Sequence, residues 1–192
     1  MFEIILKSPS PAAWLECVLS SFDEFPIDHA ANERKASSMA MSLVAHYPNR
    51  QALVTRMIDL ALEELNHFRQ VVRIMQERDL IMSPDEKDPY VNEMRGQVRK
   101  GSEAYFLDRL LSGALIEARG EERFRRIAEG LEDKRLKSFY ETLANSERGH
   151  HILFIDLAQL YFETEVVKQR LDEWTDIEND IMLNLPIRSR LH

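Results

Sequence analysis

Four stretches of this chain have helical periodicity, and each carries one glutamate inside a stripe that is otherwise apolar or small. The stripes run Ala30, Glu33, Ser37, Ala40; Leu53, Met57, Leu60, Glu64, His67, Val71, Ile74; Phe106, Leu110, Gly113, Glu117, Gly120, Phe124; and Leu136, Tyr140, Leu143, Glu147, His150, Phe154. An inward-facing carboxylate is costly to bury without a counter-charge. One such residue in each of four helices calls for a common cationic partner.

Two of the four open a Glu-x-x-His sequence, Glu64 to His67 and Glu147 to His150. A spacing of three puts both side chains on one helix face, able to share a metal. With 21 Glu and 6 His in 192 residues, chance alone supplies about 0.66 such pairs, so two copies are weak evidence by themselves. The register adds more. Glu33 lies 31 residues before Glu64, and Glu117 lies 30 before Glu147. The midpoints fall at 48.5, on Pro48-Asn49, and at 132, two residues after Gly130. In a helical hairpin, residues equidistant from the turn face each other. Each pair sits about 15 residues, roughly 20 Å, from its own turn, so all four helices bring a ligand to one level.

The periodicity predicts helices over about 12–20, 26–46, 50–79, 102–129, 132–162 and 164–182, with no strand pattern and a tail at 184–192. Ser8-Pro9-Ser10-Pro11 starts the first helix. Pro26 suits a first helical turn, and Tyr47-Pro48-Asn49 stops that helix. Gly130 stands where a helix-capping glycine is expected. Residues 80–101, with Pro84, Pro89, Gly96 and Gly101, read as a crossover with one short helix. Four long helices with one long connection imply an all-α, ferritin-like four-helix bundle over about 26–162. Short N-terminal and C-terminal helices flank it, the last with the tail over 164–192, in a single domain spanning 1–192.

The ligand set predicts a dinuclear iron centre. Glu64 and Glu147 would bridge, Glu33 and Glu117 would be mainly terminal, and His67 and His150 would serve one metal each. Four carboxylates and two divalent cations are neutral together. Mixed oxygen and nitrogen ligation suits manganese as well as iron. A ligating His usually donates its second N–H to an oxygen. Many di-iron oxygenases carry Asp just before each Glu-x-x-His; here those positions hold Glu63 and Ser146, so that likeness is partial. His29, one turn before Glu33, is a further candidate to support a ligand, with a packed or capping role as the other reading. His151 is rotated about 100° from His150 and is not expected to ligate. Glu121 stands where multicomponent hydroxylases have Thr. Gly113 and Gly120 flank Glu117, and leave two readings: room for oxygen or substrate, or close helix packing.

The single cysteine, Cys17, excludes an internal disulfide, a cysteine-ligated cluster and a Cys-x-x-Cys pair. There is no flavin or nicotinamide fingerprint, so electrons must come from a separate donor. No apolar run approaches the roughly 18 residues of a membrane span. Met1–Lys7 is too short and too acidic for a leader, so a cytoplasmic protein is expected. The net charge of −8 argues against a dedicated nucleic-acid binder. Cations on the four glutamates would move it to about −4. Basic residues cluster at Arg95, Arg99 and Lys100, and again at Arg119, Arg123 and Arg126, with Arg188 and Arg190 in the tail. A basic rim for an RNA backbone and ordinary solvated helix faces both account for them.

The strings Ala61-Leu-Glu-Glu-Leu-Asn-His67, Leu115-Ile-Glu-Ala-Arg-Gly-Glu121 and Ser146-Glu-Arg-Gly-His-His151 resemble the MiaE-type tRNA hydroxylases over nearly the whole chain. That resemblance implies an O2-dependent di-iron monooxygenase acting on the isopentenyl group of 2-methylthio-N6-isopentenyladenosine in the tRNA anticodon loop. It implies iron, O2 and a separate reductase or ferredoxin-type donor, in a monomer or small homo-oligomer. The six ligand positions carry over without substitution. Other classes stay open: an aldehyde or lipid oxygenase, a peroxide-handling manganese protein, or a non-enzymatic iron-binding bundle.

Overall fold

The computed structural model describes Ile4 and residues 6–192; residues 1–3 and 5, most of the Met1–Lys7 stretch, lie outside the described residues. Among the described residues there are seven helices and no strand: α1 (Ala12–Ser20), α2 (Glu24–His46), α3 (Gln51–Glu77), α4 (Pro89–Gly96), α5 (Ser102–Gly130), α6 (Lys134–Tyr161) and α7 (Thr164–Asn184). None of these helices is long and apolar enough to cross a membrane. The chain divides into two compact units, residues 16–86 with 188–191, and residues 1–15 with 87–187 and 192.

In the first unit α2 and α3 pack as a hairpin. Pro26 is the third residue of α2, where its missing N–H costs no helical bond. Pro48 follows the C-cap, Tyr47, and denies the helix another turn. α3 ends without glycine. Asp79 takes a left-handed φ of 57°, and Leu80 N–H and Asp79 N–H return to Met75 O (2.9 Å) and Gln76 O (3.2 Å). That is a Schellman closure, which Asp tolerates. Each inward stripe read from the sequence is buried: Ala30, Ser37 and Ala40 on α2, and Leu53, Met57, Leu60, Val71 and Ile74 on α3. Ser37 Oγ donates to Ala61 O at 2.9 Å and ties the two helices. The tail returns to this unit, with Leu191 N–H donating to Asp28 and Ser189 Oγ to Ser21 O.

The second unit pairs α5 with α6 and lays α7 and α4 against α5. α5 starts at Gly101, whose φ of 98° favours glycine. Its end differs from expectation. Gly130 is the last helical residue, without a left-handed φ, and the C-cap is Leu131 with extended φ of −81° and ψ of 134°. The chain turns instead by starting α6 at once. Asp133 accepts from Arg135 N–H (2.8 Å) and Leu136 N–H (3.0 Å), an N-cap worth about 1 kcal/mol. The crossover contains α4, capped by Asp88 accepting from Val91 N–H with Pro89 in the first position.

Candidate metal centre

Each unit carries one carboxylate–histidine set, placed by the hairpin register. In the α2–α3 unit, Glu33, Glu64 and His67 are buried and offer one ligand atom each within 4.8 Å of one another. His67 presents Nδ1 to Glu33 Oε2 (3.5 Å) and Glu64 Oε2 (3.7 Å), distances too long for good hydrogen bonds. Its Nε2 faces Glu63 Oε1 at 4.0 Å. Glu63 thus lies beside the histidine of its own helix, four residues on. His29 Nε2 is 2.6 Å from Glu33 Oε1.

Burial works against the charge on Glu33, but the hydrogen bond with His29 and the nearby His67 imidazole outweigh it and hold the carboxyl at about 2. Burial also disfavours the His67 imidazolium, yet Glu33 and Glu64 raise it to about 10. A proton on His67 here supplies the positive charge that a cation would bring. Glu33 Oε2 is buried and makes no hydrogen bond, as suits an oxygen kept for a ligand. Two carboxylates and one imidazole are the donors that ferrous iron and manganese accept, and one divalent ion neutralises the set.

The α5–α6 unit repeats the pattern. Glu117, Glu147 and His150 are buried with ligand atoms mutually within 4.8 Å. His150 Nδ1 lies 3.3 Å from Glu147 Oε2, so this histidine also turns Nδ1 toward the carboxylates. His151, the adjacent residue, is buried beside Glu121, with Nδ1 3.5 Å from Glu121 Oε2, and Glu121 Oε1 accepts from Arg125 at 2.9 Å. The sequence placed neither as a pair. Ser146 is half-buried beside Glu147.

The two glycines beside Glu117 differ. A Cβ at Gly113 would lie 3.2 Å from the Phe154 ring, so the room left by Gly113 is filled by that ring and is not open to oxygen or substrate. A Cβ at Gly120 would stand 3.8 Å from Glu147 Cγ, in ordinary contact. Gly120 therefore leaves space beside a candidate ligand.

Three of the six expected RNA contacts are corrected. Arg119 is fully buried and grips Glu178 through Nε and Nη2 at 2.8 and 3.0 Å, with Nη1 reaching Ser8 O and Glu122. Arg123, 5% exposed, lies over the Trp14 ring and donates to Ser10 Oγ; burial and the neighbouring Arg119 lower it to about 10. Arg126 donates to Ser10 O and Glu122. These side chains pin the Ser8–Trp14 segment and α7 to α5, and are not offered to phosphates. Tyr90 adds its hydroxyl to Glu178 at 3.0 Å. Glu178 had a signal in the sequence: it interrupts the stripe Val167, Leu171, Trp174, Ile181 as the candidate ligands interrupt theirs. The crossover cations Arg95, Arg99 and Lys100 are all exposed, and Arg99 also binds Asp108.

Comparison with known proteins gives the chain a family. The family described as tRNA-(MS[2]IO[6]A)-hydroxylase (MiaE) matches residues 2–192. The chain belongs to the MiaE family. A Pseudomonas putida relative named tRNA 2-(methylsulfanyl)-N(6)-isopentenyladenosine(37) hydroxylase is 38% identical over 159 residues, 83% of this chain and 77% of its own. A Salmonella typhimurium protein of the same name is 34% identical over 165 residues, 86% of this chain and 60% of its own. Among solved structures, a Synechococcus protein with aldehyde deformylating oxygenase activity matches with a TM-score of 0.94 at 31% identity, covering 99% of this chain and 96% of that one. The MiaE-family chain therefore has the all-α, ferritin-like fold expected from its stripes, and by membership it is an enzyme of the hydroxylase class.

Proposed function

We propose that the two carboxylate–histidine sets close on one dinuclear iron centre, and that this protein uses it to hydroxylate the isopentenyl group of 2-methylthio-N6-isopentenyladenosine beside the tRNA anticodon. The observation that carries this reading is the repeated set, Glu33 with Glu64 and His67, and Glu117 with Glu147 and His150, in a chain matched over residues 2–192 by the MiaE family. Glu33, Glu64 and His67, with Glu117, Glu147 and His150, are the residues that would hold the two ions.

The reaction replaces one allylic C–H bond by C–OH. It consumes O2, two electrons and two protons, and releases one water. The bound iron supplies the O2 activation that no side chain can provide. The chain's own residues do the rest. His29 holds Glu33 Oε1, leaving Oε2 for the metal. Phe106, Leu110 and Phe154 line the Glu117 stripe with apolar surface that excludes water. The adenine must be splayed from the anticodon loop so that its prenyl tail reaches the centre. Arg95, Arg99 and Lys100 are the cations proposed to meet the RNA backbone. With one cysteine in the chain, the electrons come from a separate reductase or ferredoxin-type protein.

The test reconstitutes the protein with Fe(II), adds a reductase system, O2 and bulk tRNA bearing the unhydroxylated prenyl base, and digests to nucleosides. A gain of one oxygen on that base, dependent on iron and O2, is the expected result. No gain, with two irons per chain and a working donor, would discard the tRNA substrate. The likeness to the Synechococcus oxygenase supplies the control: a long-chain aldehyde in place of tRNA should give no turnover.

A further inference from the structure

The side of α3 that faces away from its ligand stripe is not the mixed charged surface of an ordinary solvated helix. Thr55, Ile58, Leu62, Leu65, Arg69 and Arg73 follow one another at spacings of three and four, so they form one stripe, and all six are exposed. Ile58, Leu62 and Leu65 are 40%, 63% and 46% exposed and make an aliphatic patch. Arg69 and Arg73 extend it toward the C-terminal end of the helix. Arg69 donates to the neutral Asn66 Oδ1, and neither arginine is in an ion pair among the described residues. The nearest acids on the helix, Asp59 and Glu77, lie about 60° round from Leu62. Glu64 and His67 project from the other side of the same turns, one helix thickness or about 10 Å away. Glu63, exposed between the two faces, brings Oε1 to 4.0 Å from His67 Nε2. The stripe therefore lies at the surface directly behind a candidate metal ligand.

We propose that this stripe is the docking face for the separate electron donor, and that the donor is a small iron–sulfur protein with an acidic surface. The proposal rests on the reading above, in which electrons come from outside the chain. An aliphatic centre beside cations that no carboxylate neutralises fits a partner with an apolar patch and an acidic rim. Three aliphatic side chains on one helix make a small contact, of the class below about 1,200 Å² that transient electron-transfer pairs use, and short of what a stable dimer buries. A second copy of α3 laid antiparallel, Leu62 on Leu62, would set Arg69 against Thr55 and Arg73 against Gln51, and a parallel copy would set the arginines against each other. Neither supplies an anion. An RNA backbone would satisfy the arginines but lay phosphates on three aliphatic side chains. Each hydroxylation consumes two electrons. Two reduced donor molecules dock in turn, each passes one electron to the metal centre and leaves oxidised, so a weak, quickly vacated contact is what turnover requires.

The test measures binding of the iron-loaded chain to a purified plant-type [2Fe–2S] ferredoxin by surface plasmon resonance across a salt series, with no tRNA present. Wild-type protein should bind, and more weakly as salt rises. Arg69→Glu with Arg73→Glu should weaken binding at least about tenfold at low salt, chiefly through the association rate, and the loss should shrink at about 0.5 M salt. Leu62→Gln with Leu65→Gln should weaken it about tenfold at either salt, through the dissociation rate. Lys134→Glu, an exposed charge reversal at the start of α6, should stay within about threefold of wild type. The rate at which the chain oxidises reduced ferredoxin, followed at the ferredoxin's visible absorption, should fall by the same factors. Helical content checks folding, which substitutions at four exposed positions should leave intact. Absence of ferredoxin binding by wild-type protein, or double variants that bind as wild type does, would overturn the proposal. So would a dimer in sedimentation that Leu62→Gln with Leu65→Gln dissolves, or tRNA binding that the arginine variant weakens while ferredoxin binding is untouched. Wild-type protein that binds and oxidises ferredoxin but leaves the prenyl base unchanged would instead remove the hydroxylase reading and leave the docking face standing.

Discussion

Gly113 and Gly120 sit one turn either side of Glu117, and replacing each by alanine should affect stability unequally. Mid-helix, alanine is favoured over glycine by about 1 kcal/mol. At Gly120 nothing opposes that gain, because a Cβ would meet Glu147 only at 3.8 to 4.0 Å. At Gly113 the Cβ would come within 3.2 Å of two Phe154 ring carbons. Phe154 is fully buried, so its ring can give way only by disturbing the side chains packed around it. Overpacking of this kind costs about 1–3 kcal/mol, which cancels or exceeds the helix-propensity gain. For a chain of this size 1 kcal/mol moves the melting temperature by about 2–4 °C. Gly120→Ala should therefore melt about 2–4 °C above wild type, and Gly113→Ala from no change to about 8 °C below it. Circular dichroism at 222 nm on the metal-free proteins reads both. If Gly113→Ala were the more stable of the two, the Phe154 packing and the reasoning from it would be wrong.

Three further outcomes follow from the buried charges. Arg119→Met leaves Glu178 fully buried without its paired guanidinium and should cost about 3–5 kcal/mol in urea unfolding, much of it recovered in the Arg119→Met, Glu178→Leu double variant. Asp108 is buried, yet hydrogen bonds from Arg170 and Arg99 outweigh the burial and hold its carboxyl at about 2, below its ordinary 3.8. Its contribution of about 2 kcal/mol is therefore complete above pH 4 and lost as the pH falls toward 2, and Asp108→Asn should flatten that acid limb of the stability curve. His67, raised to about 10 without metal, must lose a proton to ligate; loading Fe(II) anaerobically at pH 8 should release that proton to an indicator dye, and a titration with no release would refute the assignment.

The fold and the burial of the candidate ligands could be read from the chain because both depend on period and register, which sequence carries directly. Every residue of the four stripes is buried, and each half-set assembles where the hairpin turns predict. What could not be read was the use of the remaining polar residues. An arginine on a helix looks the same in sequence whether it faces water or a buried glutamate. Arg119 and Arg123 became candidate RNA contacts for that reason, although Glu178 lay in an apolar stripe and was the available warning. The stripe signal alone does not separate a candidate metal ligand from half of an ion pair; a histidine three residues on, as after Glu64 and Glu147, or a matching register across a hairpin is the added signal. Glycines are similarly ambiguous, since the room they leave belongs to whichever neighbour fills it. For Gly113 that neighbour is Phe154, 41 residues away in sequence.

The charge distribution bears on how an acidic protein holds an anionic substrate. With Arg119, Arg123 and Arg126 committed to Ser10, Glu122 and Glu178, the exposed cations proposed for the RNA backbone reduce to the crossover set, and Arg99 within it is shared with Asp108. Each phosphate neutralised in a single-stranded loop contributes about 0.7 to the slope of log affinity against log salt. Replacing both Arg95 and Lys100 by Gln should therefore flatten the slope for tRNA binding by about 1.4. Arg126→Gln should leave it unchanged, because that guanidinium is already spent on Ser10 O and Glu122. Filter binding across a salt series on the folded variants measures all three. A slope that falls with Arg126→Gln and not with the crossover pair would place the RNA on the α5 cluster and reverse the assignment.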